Sequence, residues 1–326
     1  IQLPNDSPKI FNMKKIHLSA ACFIIFLVSS LQTMAQEDDL LSLVAKDKPK
    51  KERIKYAFKS PRVINGHSME FLNPRTMDFR ILHRFGPLDQ GYKNFFGFDQ
   101  ANMRMGLDFG IFHNLMVGIG RSNYKKEVDG YIKFAPVRQS TGPGSFPVTI
   151  ALVSGMTLNT SPWEDPAKQN FYTSRLAYYF QTIIGRKFSE SFTFQLSPTL
   201  VHLNIVPLQT QSNDIYALGA GARMKVSKRV AITVDYFHNF NGLEEGVTFD
   251  PISVGFDIET GGHVFQLHFS NATGMNERAF IMETTNDWAK KQMRFGFNLS
   301  RVFQLGKKKE KKKAEPKGNI ITIINK

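Results

Sequence analysis

"MRFGFNLSRVFQLGKKKEKKK", residues 293–313, divides into two halves of opposite character. In the first half Met293, Phe295, Phe297, Leu299 and Phe303 fall on alternate positions, with Arg294, Gly296, Asn298 and Ser300 between them. Strict alternation puts the apolar set on one face of a β-strand and the polar set on the other. The second half is a lysine run that cannot continue the strand. An apolar strand face ending on an aromatic residue, then a solvated basic tail, fits the closing strand of a transmembrane barrel.

The same period recurs upstream. Met103, Met105, Leu107, Phe109 and Ile111 alternate with Asn102, Arg104, Gly106, Asp108 and Gly110. Leu176, Tyr178, Phe180 and Ile184 oppose Arg175, Ala177, Tyr179 and Gln181, and Phe192, Phe194, Leu196 and Leu200 oppose Thr193, Gln195, Ser197 and Thr199. Twelve such segments can be drawn, at about 76–85, 102–111, 115–122, 127–137, 148–157, 173–185, 192–203, 215–225, 230–240, 250–259, 263–270 and 293–303. Most have the roughly ten residues a tilted strand needs to cross a bilayer. Short connections, such as 112–114 and 260–262, alternate with long ones, such as 86–101, 158–172 and 271–292. That asymmetry separates the short inner turns from the long outer loops of a bacterial outer-membrane barrel. A soluble antiparallel sandwich shares the period, but its solvent face would not carry this much Gly and charge, nor its core this much Phe. The expected fold is all-β: a transmembrane antiparallel up-and-down barrel of about 12 strands, closed by pairing the last strand with the first.

The 326 residues are 42% hydrophobic, with 29 Phe, and mean hydropathy is −0.25. Averages of this kind conceal barrel strands, because alternation dilutes the apolar residues. Residues 13–35 read as a secretory signal peptide: a basic Met13-Lys14-Lys15, an apolar stretch from Leu18 to Leu31, and Thr33-Met34-Ala35 before the cut. Residues 1–12 would be an upstream extension. The single cysteine, Cys22, falls inside the signal segment, so disulfide and thiol chemistry are excluded from the mature chain. Residues 36–75 are polar and basic and read as a periplasmic lead-in. The alternating Ile54, Tyr56 and Phe58 suggest that part of it enters the barrel as a small plug or adds a strand. The barrel itself is assigned to 76–303 and a basic periplasmic tail to 304–326.

Net charge is +14, falling to +12 without residues 1–35; residues 307–326, with eight Lys and two Glu, carry +6 of it. A secreted chain meets little nucleic acid, so the tail reads as a solvated segment open to a periplasmic partner. The inward face of the strands is assigned Asp78, Arg80, Arg84, Arg104, Asp108, Asp129, Lys133, Arg175, Arg223, Lys225, Asp235, Asp257, Glu259 and Arg294. Such a lining could set ion selectivity in a narrow channel for small solutes. It could also be a network of paired charges that fills the interior of a non-conducting barrel acting as an envelope anchor.

The stretches "HRFG" (83–86), "LMVGIGRS" (115–122), "GGHVFQLHFSN" (261–271) and "RFGFNLSRVF" (294–303) resemble an uncharacterised outer-membrane β-barrel family of Bacteroidota, a domain of unknown function. The resemblance implies the outer membrane of a Gram-negative host and brings no activity with it. The aromatic end at Phe303 is similar to the terminal signal read by outer-membrane assembly machinery, which with the surrounding lipid would be the expected partner.

One short motif bears on catalysis. His268-Phe269-Ser270 is similar to the His-x-Ser pair of outer-membrane lipid A deacylases, with Glu259, Glu277 or Glu283 available as the carboxylate. Phe265, Leu267 and Phe269 form the more apolar face, which turns His268 and Ser270 inward, away from acyl chains. An enzyme is not expected. Neither a cofactor nor a metal is indicated by the spacing of the remaining histidines.

Overall fold

The computed structural model describes residues 50–306, apart from 164–165, 168–169, 207–210, 243–246 and 261–262. The signal segment, the upstream extension and the lysine tail lie outside the described residues. Twelve antiparallel strands close on themselves. They are β1 (Thr76–Pro87), β2 (Ala101–Phe112), β3 (Leu115–Ser122), β4 (Val128–Val137), β5 (Thr149–Leu158), β6 (Leu176–Lys187), β7 (Phe192–Leu203), β8 (Asp214–Lys225), β9 (Val230–Asn239), β10 (Ile252–Thr260), β11 (His263–Ser270) and β12 (Arg294–Gln304). Each pairs with its sequence neighbour, and β12 pairs with β1 from Arg294↔Pro87 to Gln304↔Thr76. The opening stretch is therefore the seam that abolishes both sheet edges.

Alternation sorts the side chains as period 2 requires. On β4, Asp129, Tyr131, Lys133 and Ala135 are buried, while Ile132 is 58% exposed. On β6, Ala177, Tyr179, Gln181 and Ile183 are buried, while Phe180 is 52% exposed. The outward set is apolar all round the wall. With strands of 8–12 residues it matches the band a barrel presents to lipid.

With an even strand number, β1 begins and β12 ends at the same end of the barrel, here the chain-terminal end; the other is the distal end. Before β1, Glu52–Arg53 pairs with Ser140–Thr141 of the β4–β5 connection, and Ile54 N–H donates to Gln139 O at 2.9 Å. The chain then turns into the barrel. Val63 N–H donates to Gly66 O and Ser68 N–H to Pro61 O, closing a hairpin whose tip is Ile64-Asn65. It returns to the same end, where Arg75 N–H donates to Gly110 O at 2.8 Å. From the distal end the β11–β12 connection folds inward around α1 (Glu277–Met282), all six residues of which are buried. Asn276 caps this helix by accepting from Ala279 N–H.

The apolar core lies inside the cylinder. Phe58, Val63, Met69, Phe71 and Leu72 of the hairpin segment join Phe280, Ile281 and Met282 of the distal connection and Tyr131, Tyr179, Ile183, Val201, Ile215 and Phe237 of the wall. The inward face is thus mixed in polarity, and the apolar half of it is covered by the two inserted segments.

Candidate functional site: a filled lumen

Wall charges pair first with one another. Arg80 Nη2 lies 2.5 Å from Asp78 and 3.6 Å from Asp108, Arg104 is bidentate to Asp129 at 2.9 and 2.5 Å, and Arg223 reaches Asp257 at 3.4 Å and Glu259 at 3.1 Å. Long side chains lie flat because facing positions are small. A Cβ at Gly120 would fall on the Arg104 guanidinium, and one at Gly155 would fall 2.2 Å from the Tyr179 ring.

The remaining inward groups bind the hairpin segment. Lys133 Nζ donates to three of its carbonyls, Pro61 O at 3.4 Å, Ser68 O at 2.6 Å and Glu70 O at 2.7 Å. Asp235 Oδ2 accepts from the backbone N–H groups of Ile64, Asn65 and Gly66 at 3.4, 2.7 and 2.8 Å. Arg84 donates to Asn65 Oδ1 and Asn298 Oδ1, and Asn298 donates to Ile64 O. Gln195 accepts from Met69 N–H and donates to His67 O, Gln266 donates to Val63 O, and Arg80 donates to Ser60 Oγ. Backbone groups that a barrel interior would otherwise strip of water thereby find partners on five strands.

The two inserted segments meet in the middle. Arg62, 2% exposed, donates to Glu277 Oε1 at 2.8 Å, and His67 Nε2 lies 3.3 Å from the same oxygen and 3.1 Å from Tyr179 Oη. Burial and the nearby charges of Arg62, Lys133, Arg104 and Arg80 hold the His67 imidazole well below its ordinary pKa. Its approach to Glu277 is thus no ion pair, and the hydrogen bond of the ring runs to Tyr179 Oη. At the distal mouth Arg278 binds both Glu127 and Glu283, and Glu283 also accepts from Lys125 at 2.6 Å. Burial alone would raise the Glu283 pKa; Arg278 and Lys125 outweigh it and bring it down to about 2.

Ten of the fourteen residues assigned to the lining are buried inside the wall: Asp78, Arg80, Arg84, Arg104, Asp108, Asp129, Lys133, Arg223, Asp235 and Asp257. The other four are placed differently. Arg175 precedes β6, in a turn outside the barrel; its guanidinium stacks 3.5 Å over Trp163 and donates to Asn159 O and Ser161 O. Alternation starts that segment at 173, three residues before the strand begins at Leu176. Lys225 ends β8 exposed at the chain-terminal rim. Glu259 is half-buried at that rim, between Arg223 and Lys59. Arg294 is half-buried at the distal end, beside a register shift, and donates to Phe85 O. Arg62, Asn65 and His67, which lie at the centre, carry no sequence expectation, and Glu277 beside them is named there only as a carboxylate for the His-x-Ser pair. The one local sign was Asn65-Gly66, a turn pair between apolar residues. Ile54, Tyr56 and Phe58 do not share a face: Phe58 is in the core and Tyr56 is exposed.

His268 and Ser270 both face inward and are buried, but they are not coupled. Among the described residues neither ring nitrogen of His268 has a hydrogen-bond partner, and Ser270 Oγ is engaged with Ser253 Oγ and Ala272 N–H. Glu259, Glu277 and Glu283 are each committed to basic groups elsewhere.

Among solved structures, the NanC porin superposes with a TM-score of 0.42 at 8% identity, covering 69% of this chain and 98% of its own. The KdgM porin gives 0.42 at 9%, covering 70% and 99%, and OmpF of Salmonella typhi in complex with daunomycin gives 0.33 at 5%, covering 70% and 97%. No curated protein matches the sequence. Residues 58–303 match the family described as "Membrane bound beta barrel domain (DUF5777)", a span that includes the inserted hairpin as well as every strand but the last residue of β12, and the chain belongs to that family.

Proposed function

We propose that the protein is an outer-membrane barrel of a Gram-negative bacterium whose resting state is closed by its own residues 54–73, and that small solutes pass only when this segment leaves the lumen. The observation that carries the reading is the hairpin's mode of attachment. It is bound through its backbone by Lys133, Asp235, Gln195, Gln266 and Asn298, inside a wall whose outward face is apolar. Backbone hydrogen bonds hold a segment without burying it in one continuous sheet, so it can be withdrawn as a unit. The chain-terminal end would face the periplasm, the exposed Phe303 would serve the assembly machinery, and the lysine tail would be free for a periplasmic partner.

A second reading is favoured by the double closure. Because α1 enters from the distal end and meets the hairpin at Arg62 and Glu277, the barrel could be permanently shut and act as an anchor. Single-channel recording of the purified protein distinguishes the two. The intact chain is expected to be silent, and a variant lacking residues 36–74 to give discrete conductance steps, with heat-modifiable gel migration reporting that both are folded. Conductance by the intact chain would defeat both readings. Silence of the folded deletion variant would leave the anchor.

A further inference from the structure

We infer that the chain-terminal edge of the wall binds the headgroups of anionic phospholipids through two adjacent turns, those joining β6 to β7 and β8 to β9. The inference rests on the membrane-barrel reading above and adds a lipid class and a site to it.

The two turns are built alike. In the first, Phe188 N–H and Ser189 N–H both donate to Phe192 O, and Ser189 Oγ accepts from Ser191 N–H and Phe192 N–H. In the second, Val226 N–H and Ser227 N–H both donate to Val230 O, and Ser227 Oγ accepts from Arg229 N–H and Val230 N–H. Lys225 N–H donates to Ser191 O at 2.7 Å, which ties the turns together. They form one preorganised platform.

That platform carries cations over grease. Arg186, Lys187, Lys225, Lys228 and Arg229 lie on it against Glu190, which Lys187 holds at 2.9 Å, and beside Glu259, which Lys59 and Arg223 hold. Arg186, Lys225, Lys228 and Arg229 have no ion-pair partner among the described residues, and Arg186 Nε is shielded from water without an acceptor. At the distal end Lys125 and Arg278 are matched by Glu283 and Glu127, while Lys93 and Lys291 stand on separate connections. Directly below the cations, on the outward face, Phe188, Phe192, Met224 and Val226 are exposed, with the Arg186 guanidinium 5.3 Å from the Phe188 ring centre. On a membrane barrel this face meets acyl chains and its rim meets headgroups. A soluble acidic protein would find the cations but leave the apolar strip bare, and a free phosphate would find no enclosing pocket. A phospholipid with a net negative headgroup satisfies both parts, since basic groups at a bilayer surface attract anionic lipid and aromatic rings settle at that level.

The test uses the full chain reconstituted in phosphatidylcholine vesicles, with spin-labelled phosphatidylglycerol or phosphatidylcholine reporting association with the barrel surface by electron paramagnetic resonance. Phosphatidylglycerol is expected to be preferred on the order of fivefold, weakening with added salt. In Arg186→Gln/Lys225→Gln/Lys228→Gln/Arg229→Gln the preference should fall to within about twofold of parity, whereas Lys93→Gln/Lys291→Gln at the distal end should leave it intact. If the quadruple variant does not fold, Lys228→Gln/Arg229→Gln alone should remove about half of the preference. Equal association of the two lipids, or a preference untouched by the turn variants, would overturn the inference while leaving the barrel reading in place. A chain that fails to float with the vesicles would overturn the barrel reading and this inference with it. A preference abolished by inorganic phosphate at fixed ionic strength would indicate a phosphate site and also overturn it.

Discussion

Arg62 and Glu277 are 215 positions apart in sequence and 2.8 Å apart at the centre of the barrel, each side chain 1% exposed. One belongs to the hairpin that enters from the chain-terminal end, the other to the helix that enters from the distal end. Leaving one member of a buried pair without the other costs about 3–5 kcal/mol. Glu277→Ala should therefore release the hairpin, seen as trypsin cleavage after Lys59 and Arg62 in the folded, detergent-solubilised protein. Arg62→Met/Glu277→Met, which removes both charges, should resist cleavage after Lys59, the site the two variants share, better than Glu277→Ala.

Lys133 offers an independent handle, because it binds the hairpin without touching Glu277. Replacing it with Met takes the donor from the carbonyls of Ser68 and Glu70, while Pro61 O keeps Ser68 N–H. Loss of hydrogen bonds of this kind should weaken docking by about 3 kcal/mol. Amide hydrogen exchange over residues 61–71 should accelerate by on the order of a hundredfold while exchange in β2 and β3 stays unchanged.

Acid should loosen the same contact. The docked His67 imidazole has its pKa held well below the ordinary value by burial and by Arg62, Lys133, Arg104 and Arg80, whereas in a released hairpin it would titrate near 6.5. The released state then binds more protons at low pH. Docking is complete above pH ~6.5 and weakens as pH falls, by up to about 1.4 kcal/mol per unit. Glu70 works in the opposite sense, since burial raises its pKa and the docked state holds its proton more readily. Glu277 and Tyr179 also face the ring, at 3.3 and 3.1 Å. The decisive comparison is the wild type against His67→Gln between pH 7 and 5, with trypsin susceptibility as the readout. The loosening by acid should vanish in the variant, leaving only the opposite contribution of Glu70.

The facing of the wall is tested by charge. Arg placed at Ile132 or Phe180 meets lipid and should destabilise the barrel by about 2–4 kcal/mol in urea unfolding from vesicles. Arg at Gln181, one residue further and inside, should act on the hairpin and leave lipid insertion unaltered. Equal effects at Phe180 and Gln181 would contradict the assignment of faces.

All twelve strands were legible in the sequence because a side-chain period of 2 is a local property, readable without knowing any partner. Strand ends were less so. Arg175 and Lys225 keep the period but lie where the ladder has stopped or met solvent, and alternation carries no information on that. The filling of the lumen was hardly legible at all. Tyr131, Tyr179, Ile183 and Val201 point inward among charged residues, and an apolar residue on a channel's inner face makes sense only once Phe58, Met69 and Phe71 are known to pack there. Arg62 with Glu277, like Asp235 with the hairpin tip, is a match across most of the chain, and no spacing rule announces it.

The central claim, that residues 54–73 occupy the barrel, is tested most directly by a disulfide. Met69 Cβ lies 3.3 Å from the position a Cβ would take at Gly185, close to the roughly 3.5–4.5 Å separation of bonded cysteines. With Cys22 replaced by Ser, Met69→Cys/Gly185→Cys should cross-link under mild oxidation in intact membranes, giving a single linked peptide by mass spectrometry and no bond in either single variant. Two free thiols, both open to a membrane-impermeant maleimide in a folded barrel, would contradict the account.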